Sequence, residues 1–214
     1  HVSGKANIMA SIDIPLHDNK TNKLFTLSSD LVGVKINLPA PFNKSADSKM
    51  PLQVLYNMTD ISENIVKIKY AGLIDAILFL KDKQLHGGHI AINKKLETLN
   101  DTENLHIIGN IKLVDWSTWK PFLQTKDSKE WLPIVVDLNI NTLKLNGTDY
   151  NSLQVKYYTE RNELFVDCPV VTGTFMLSPE HDKIDVKLTN LNLPENDKGN
   201  ADLLNYIQEK RIVN

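Results

Sequence analysis

Two histidines three residues apart, in His86-Gly87-Gly88-His89, are the nearest approach of potential metal ligands in the sequence. On an extended strand, residues three apart point to opposite faces. The pair would meet at one ion only if the glycines folded into a tight turn, and the competing reading is a glycine-permitted turn or bulge beside a strand. Cys168, the one cysteine, closes the run Leu164-Phe165-Val166-Asp167-Cys168. It forms no intrachain disulfide, has no thiolate-stabilising cluster nearby in sequence, and reads as a small buried hydrophobe. The carboxylates are dispersed, with no pair whose surroundings would push two pKa values apart for acid and base work. Ser28 and Ser29 lack a nucleophile-elbow context, and no glycine loop is arranged to cradle phosphate. The expectation is a protein that is not an enzyme, with no metal and no cofactor.

Trp116, Trp119 and Trp131 gather around a proline-containing segment. Such a cluster serves as a carbohydrate platform, a lipid-interface contact, or a cap on the end of a core. Sequons at Asn57, Asn100 and Asn146 would matter only on a eukaryotic secretory route, and chance occurrence suffices in an asparagine-rich chain. A net charge of −2, from 24 Lys+Arg against 26 Asp+Glu, provides no positive field for phosphate backbones or anionic headgroups. Nucleic acid is therefore not an expected partner. The longest apolar run, Ala71 to Leu80, is interrupted by Asp75 and is shorter than the roughly 20 residues a spanning helix needs. The chain opens at His1 with no starting methionine, so it reads as one β-rich segment, 1–214, of a larger protein.

The elements that must position any site are strands. Apolar residues alternate at period two in Ile8, Ala10, Ile12, Ile14; in Val32, Val34, Ile36, Leu38; and in Leu52, Val54, Tyr56, Met58. The pattern continues through Val66 to Tyr70, Leu105 to Leu113, Val136 to Ile140, Leu153 to Tyr157 and Ile184 to Leu188. Each set gives one apolar face. The stretch Leu73 to Leu80 is apolar on both sides and reads as a central strand or a short buried helix. With turn clusters such as Asn43 to Ser48 and Asn146-Gly147-Thr148-Asp149, these runs amount to roughly a dozen strands in an antiparallel meander. Two short helices are expected. One follows the N-cap Asp115 and carries Trp116, Trp119 and Leu123, with Pro121 tolerable only near its first turn; the other spans Ala201 to Arg211.

Asp137 to Leu145 echoes Asp185 to Leu193, and in both stretches the apolar positions change parity midway, from Ile140 to Leu143 and from Leu188 to Leu191. A change of parity without a turn indicates a β-bulge or bend, and the echo suggests growth by similar strand units. A dozen strands in one sheet would span roughly 58 Å, so the sheet must curl. Periodicity leaves two outcomes open: a closed two-layer sandwich acting as a structural or adhesive module that binds protein or glycan, or an open trough whose apolar inner face meets a ligand.

Leu31-Val32-Gly33-Val34-Lys35-Ile36-Asn37-Leu38-Pro39-Ala40-Pro41-Phe42-Asn43-Lys44, followed by Met50-Pro51-Leu52-Gln53-Val54, resembles the YhdP family of large AsmA-like envelope proteins. The similarity continues through Gly109 to Trp116, Val136 to Leu145 and Gly173-Thr174-Phe175. The resemblance implies a mainly β protein: an elongated, curled antiparallel sheet with an apolar groove and one or two short helices. It further implies a periplasmic location, a membrane anchor elsewhere in the same chain, and participation in phospholipid movement between the inner and outer membranes.

On that reading the partners are phospholipid acyl chains and the rest of the same polypeptide, and the segment is a monomer. The residues expected to present hydrocarbon are Val34, Ile36, Leu138, Ile140, Val186 and Leu188. Acyl chains laid on such a strip gain about 0.8 kcal/mol per buried CH2. A charge at Ile140 is expected to block lipid binding, and one at Asn139 to be mild.

Overall fold

The computed structural model describes residues 1–14, 23–57, 63–96, 103–123, 132–178 and 183–192. It is mainly β, with fourteen strands and one α-helix among those residues. The chain divides into two compact units, His1–Asn110 with Ser128–Ile134, and Ile111–Asp127 with Val135–Asn214.

The first unit holds β1 (Val2–Gly4), β2 (Met9–Asp13), β3 (Leu24–Ser29), β4 (Val34–Ile36), β5 (Leu52–Asn57), β6 (Glu63–Tyr70), β7 (Ile74–Lys81), β8 (Gln84–Ile92) and the first half of β9 (Leu105–Asp115). Its main ladder runs β2-β3-β5-β6-β7-β8, antiparallel throughout, and then pairs Gly88–Ile92 of β8 with Leu105–Gly109 of β9 in parallel. That pair is the exception to the expected meander, because β9 runs in the same direction as β8 instead of folding back on it. Of the stretch Leu73 to Leu80, Ile74 onward is strand β7, paired on both edges and half-buried or buried on both faces through Leu80, so it is the central strand rather than a helix. The β7–β8 turn consists of two left-handed residues, Asp82 at φ 51° and Lys83 at φ 66°, as a two-residue hairpin requires.

The strand expected across Val32, Val34, Ile36 and Leu38 is shorter than its alternation. Only Val34–Ile36 is strand, paired with β1 in a separate two-stranded sheet. Pro39 and Pro41 have no N–H to extend a ladder, and the Asn37 N–H donates to His1 O at 2.8 Å. The family-like motif here is structural. A Cβ on Gly33 would lie 2.2 Å from Lys5 O, and the buried Lys44 ammonium donates to Val34 O at 2.8 Å and to Ser45 O at 2.9 Å.

The second unit holds the rest of β9, α1 (Trp116–Leu123), β10 (Ile134–Leu145), β11 (Thr148–Tyr158), β12 (Glu163–Asp167), β13 (Val171–Leu177) and β14 (Ile184–Leu191). From β10 to β14 every neighbouring pair is antiparallel. Asn146 at φ 50° and Gly147 at φ 83° make the tight turn between β10 and β11. The parity change at Leu188–Leu191 is a bulge: Leu188 faces Gly173 and Asn190 faces Thr172, leaving Thr189 extra. In the β10–β11 pair the register does not slip. The parity change there coincides with Ser152, whose φ of 57° turns the strand locally.

The helix beginning after Asp115 forms as expected, with Asp115 Oδ1 accepting from Ser117 N–H at 3.0 Å and Ser117 Oγ–H at 2.6 Å. Pro121 lies in its second turn, and α1 ends two residues later. The Ala201–Arg211 helix and Trp131 fall outside the described residues.

Candidate functional site

Residues directly opposite one another on paired strands point to the same side of a sheet, so register defines its faces. In the first unit Ala10, Leu27, Val54, Ile68, Ala76, Ile90 and Ile107 form one unbroken row across seven strands. The row beside it is Ile12, Phe25, Tyr56, Val66, Leu78, Gly88 and Leu105. On the other side of the first row lie Leu52, Tyr70, Ile74 and Ile92. No charged residue interrupts these rows.

The second unit repeats the plan. Leu138, Val155, Val166, Gly173 and Leu188 form one row, and Val136, Tyr157, Leu164, Phe175 and Val186 the next. Ile140 stands opposite Leu153 on the same side. In both units a glycine lies beneath a leucine on the apolar face. A Cβ at Gly88 would come within 2.9 Å of Leu78 Cδ2, and one at Gly173 within 2.8 Å of Leu188 Cδ2. The bare backbone lets the leucine lie flat there.

These faces are apolar but not sealed. A second packed layer would bury their large side chains throughout, whereas among the described residues only Tyr70, Ile92, Ile140 and Leu153 of these large side chains are buried, at 4–8% exposure, and none completely. Most row members are half-buried, and Val186 and Leu188 on the edge strand remain 41% and 36% exposed. Among the described residues neither edge is closed: β2 pairs only with β3, and β14 only with β13.

Of the six residues expected to line a hydrocarbon surface, Leu138, Ile140, Val186 and Leu188 share one face of the second unit. Val34 and Ile36 lie in the small β1–β4 sheet of the first unit, outside its main ladder. Ile140 is only 7% exposed, so a charge there tests folding before it tests binding. Phe25, Leu27, Leu164 and Val166 belong to the apolar rows and are not singled out by the sequence alone. Alternation in β3 and β12 covers only a few positions and is blurred by Leu24 and Phe165, so cross-strand register is the signal that finds them.

His86 is the extra residue of a bulge, because Gly87 faces Phe79 while Leu85 faces Leu80. His89 is buried on the opposite face from the apolar rows, stacked on His106 with ring centroids 5.3 Å apart and edge-on to Phe79 at 5.7 Å. Among the described residues no three His, Cys, Asp or Glu side chains gather where a metal ion would sit. Cys168 is buried, and its Sγ accepts from Val171 N–H at 3.4 Å. Trp116 is exposed and Trp119 half-buried on α1. No helix among the described residues is long and apolar enough to cross a membrane.

The sequence model of the family described as YhdP protein matches residues 1–211. No curated protein and no solved structure matches the chain.

Proposed function

The chain belongs to the YhdP protein family of AsmA-like envelope proteins, and on that premise we propose that it is a non-catalytic lipid-binding segment. It takes part in moving phospholipid between the inner and outer membranes, as the periplasmic part of a membrane-anchored polypeptide. The observation that carries this reading is the unsealed apolar face in each unit: rows without a charged residue run across seven strands in one and five in the other. An acyl chain needs this kind of surface. It gains about 0.8 kcal/mol per CH2 removed from water, requires no directional bonding, and can move along a strip of equivalent contacts. No chemistry on the lipid is required.

The test is native mass spectrometry with lipid extraction on the purified chain and on the double variant Val186→Asp, Leu188→Asp. Both side chains are already part-exposed, so charge there perturbs the hydrocarbon surface more than the fold. The wild type is expected to carry phospholipid, and the variant to lose it by about tenfold or more with its melting temperature little changed. A lipid-free, tightly folded wild type would sink the reading in favour of a structural module. Lipid retained equally by the variant would show that the second unit's face does not hold it.

A further inference from the structure

At one end of the first unit's ladder, where β2 and β5 begin and β3 and β6 end, a solvent-open depression of about 670 Å³ lies among side chains of both faces. Ile8, Met9 and Leu52 give it apolar walls, Ser28 and Gln53 supply neutral hydrogen-bonding groups, and Lys69 and Asp30 bring one charge of each sign. The charges are held differently. Asp30 is fixed, because its Oδ1 accepts from Val32 N–H at 3.1 Å and its carbonyl from Met50 N–H at 2.9 Å, which leaves Oδ2 for a further donor. Lys69 is exposed at the end of β6, with Asp75 directly across the ladder. Leu52 connects the depression to the apolar face, where it neighbours Tyr70.

We infer that this depression receives the zwitterionic headgroup of an aminophospholipid, with the phosphate against Lys69 and the ammonium against Asp30. This rests on the lipid-binding reading above and adds to it a headgroup site. The charge count selects the class. A single ammonium that shares the site with the Asp30 carboxylate makes a poor site for a headgroup of net negative charge, because an added anion also meets a like charge. A headgroup that carries its own cation turns Asp30 from a repulsive group into a partner. The apolar walls beside the charges suit the glycerol and first acyl carbons that follow the phosphate. A free phosphoethanolamine shares the polar chemistry but would leave Ile8, Met9 and Leu52 uncovered.

The experiment measures binding of dihexanoyl phosphatidylethanolamine, dihexanoyl phosphatidylglycerol and O-phosphoethanolamine to the purified chain by native mass spectrometry. The wild type is compared with Asp30→Asn, which keeps the Oδ1 acceptor for Val32, and with Lys69→Met, which keeps the aliphatic stem. The wild type is expected to prefer the ethanolamine lipid over the glycerol lipid by about tenfold, the worth of one charge-assisted hydrogen bond. Asp30→Asn is expected to erase that preference, and Lys69→Met to weaken both lipids while leaving the fold intact. Equal binding of the two lipids by the wild type, or a preference that survives Asp30→Asn, would overturn the headgroup site while leaving the lipid-binding reading standing. Phosphoethanolamine binding as tightly as the lipid would reassign the depression to a soluble phosphoester. Failure of both lipids to bind would remove both conclusions.

Discussion

Behind the apolar rows of the second unit the sheet is mostly polar: Asn139, Gln154, Asp167, Thr172 and Asn190 in one row, Asp137, Lys156, Thr174 and Lys187 around Phe165 in the next, and Glu163 and Asp185 with Val135, Tyr158 and Met176 in the row beyond. Behind those of the first unit lie Leu55, Ile77, Phe79 and the stacked His89 and His106, with Lys67 and Lys69 among them. A sheet that faces water on one side needs polar residues there, and the second unit supplies them, cross-linked by Lys156–Asp137 at 3.4 Å and Thr172 Oγ to Asp167 at 2.7 Å. The first unit instead buries His89 and Ala91 on its reverse side, at 3% and 0% exposure, so that side is packed across β8 while Gln53, Lys67 and Lys69 on β5 and β6 stay exposed. The apolar front is common to both units, and the two differ in what the back is for. In the second unit one face does most of the apolar work, whereas in the first the fold leans on both.

The widest gap between the units should come from placing one charge on each reverse face. Ala91→Asp in the first unit puts a carboxylate where no water reaches, and is expected to cost roughly 3 kcal/mol or more in chemical denaturation. Asn139→Asp in the second unit sits on a solvated face and is expected to change stability by no more than about 0.5 kcal/mol. Similar losses at the two sites would show that the reverse faces are equivalent and that the two units do not differ in this way.

Much of the front face was legible in the sequence, and the reason is period two. Val54, Ile68, Ile107, Leu138, Val155 and Val186 each fall in a run that alternates for at least three apolar positions, so each declares its side without reference to a neighbour. What alternation does not encode is which strand lies beside which. The parallel β8–β9 pair, the separate β1–β4 sheet that removes Val34 and Ile36 from the main ladder, and the short strands β3 and β12 all depend on hydrogen bonding between distant segments. The His86-Gly87-Gly88-His89 motif shows the same division. Its spacing argues against one shared ion, but only the register places His86 at a bulge and His89 against His106.

A smaller effect separates the units through a device they share. Gly88 and Gly173 each lie under a leucine, and a Cβ added at either would meet a carbonyl oxygen at 2.7 Å, Ile77 O in the first case and Lys187 O in the second. Alanine at either position forces the backbone or the leucine to move. Gly88→Ala is expected to cost about 2 kcal/mol, because Leu78 is held between β6 and β8. Gly173→Ala is expected to cost about 1 kcal/mol or less, because Leu188 belongs to the edge strand β14 and can shift outward. Thermal melts of the two variants decide it. Equal costs would mean that β14 is held as firmly as an interior strand.

The smallest expected effect isolates the second unit alone through its helix. Asp115 has its carboxyl held below the ordinary carboxylate value, first by the hydrogen bond from the Ser117 side chain, which outweighs an opposing desolvation, and then by the Ser117 and Thr118 backbone N–H groups and the Lys144 charge. A carboxyl depressed in the folded state stabilises the fold above its unfolded pKa, and that contribution is lost as pH falls through the folded value. The start of α1 should therefore be insensitive to pH throughout the neutral range and loosen only under acid conditions below the ordinary carboxylate range. The Ser117 amide, which donates to Asp115 Oδ1, reports this directly in an NMR pH titration. Its shift is expected to move with a midpoint below that of an unperturbed aspartate and to stay flat in Asp115→Asn. A midpoint at the ordinary value would mean that the cap is not formed in solution, and α1 would then lose the feature that fixes its first turn directly after β9.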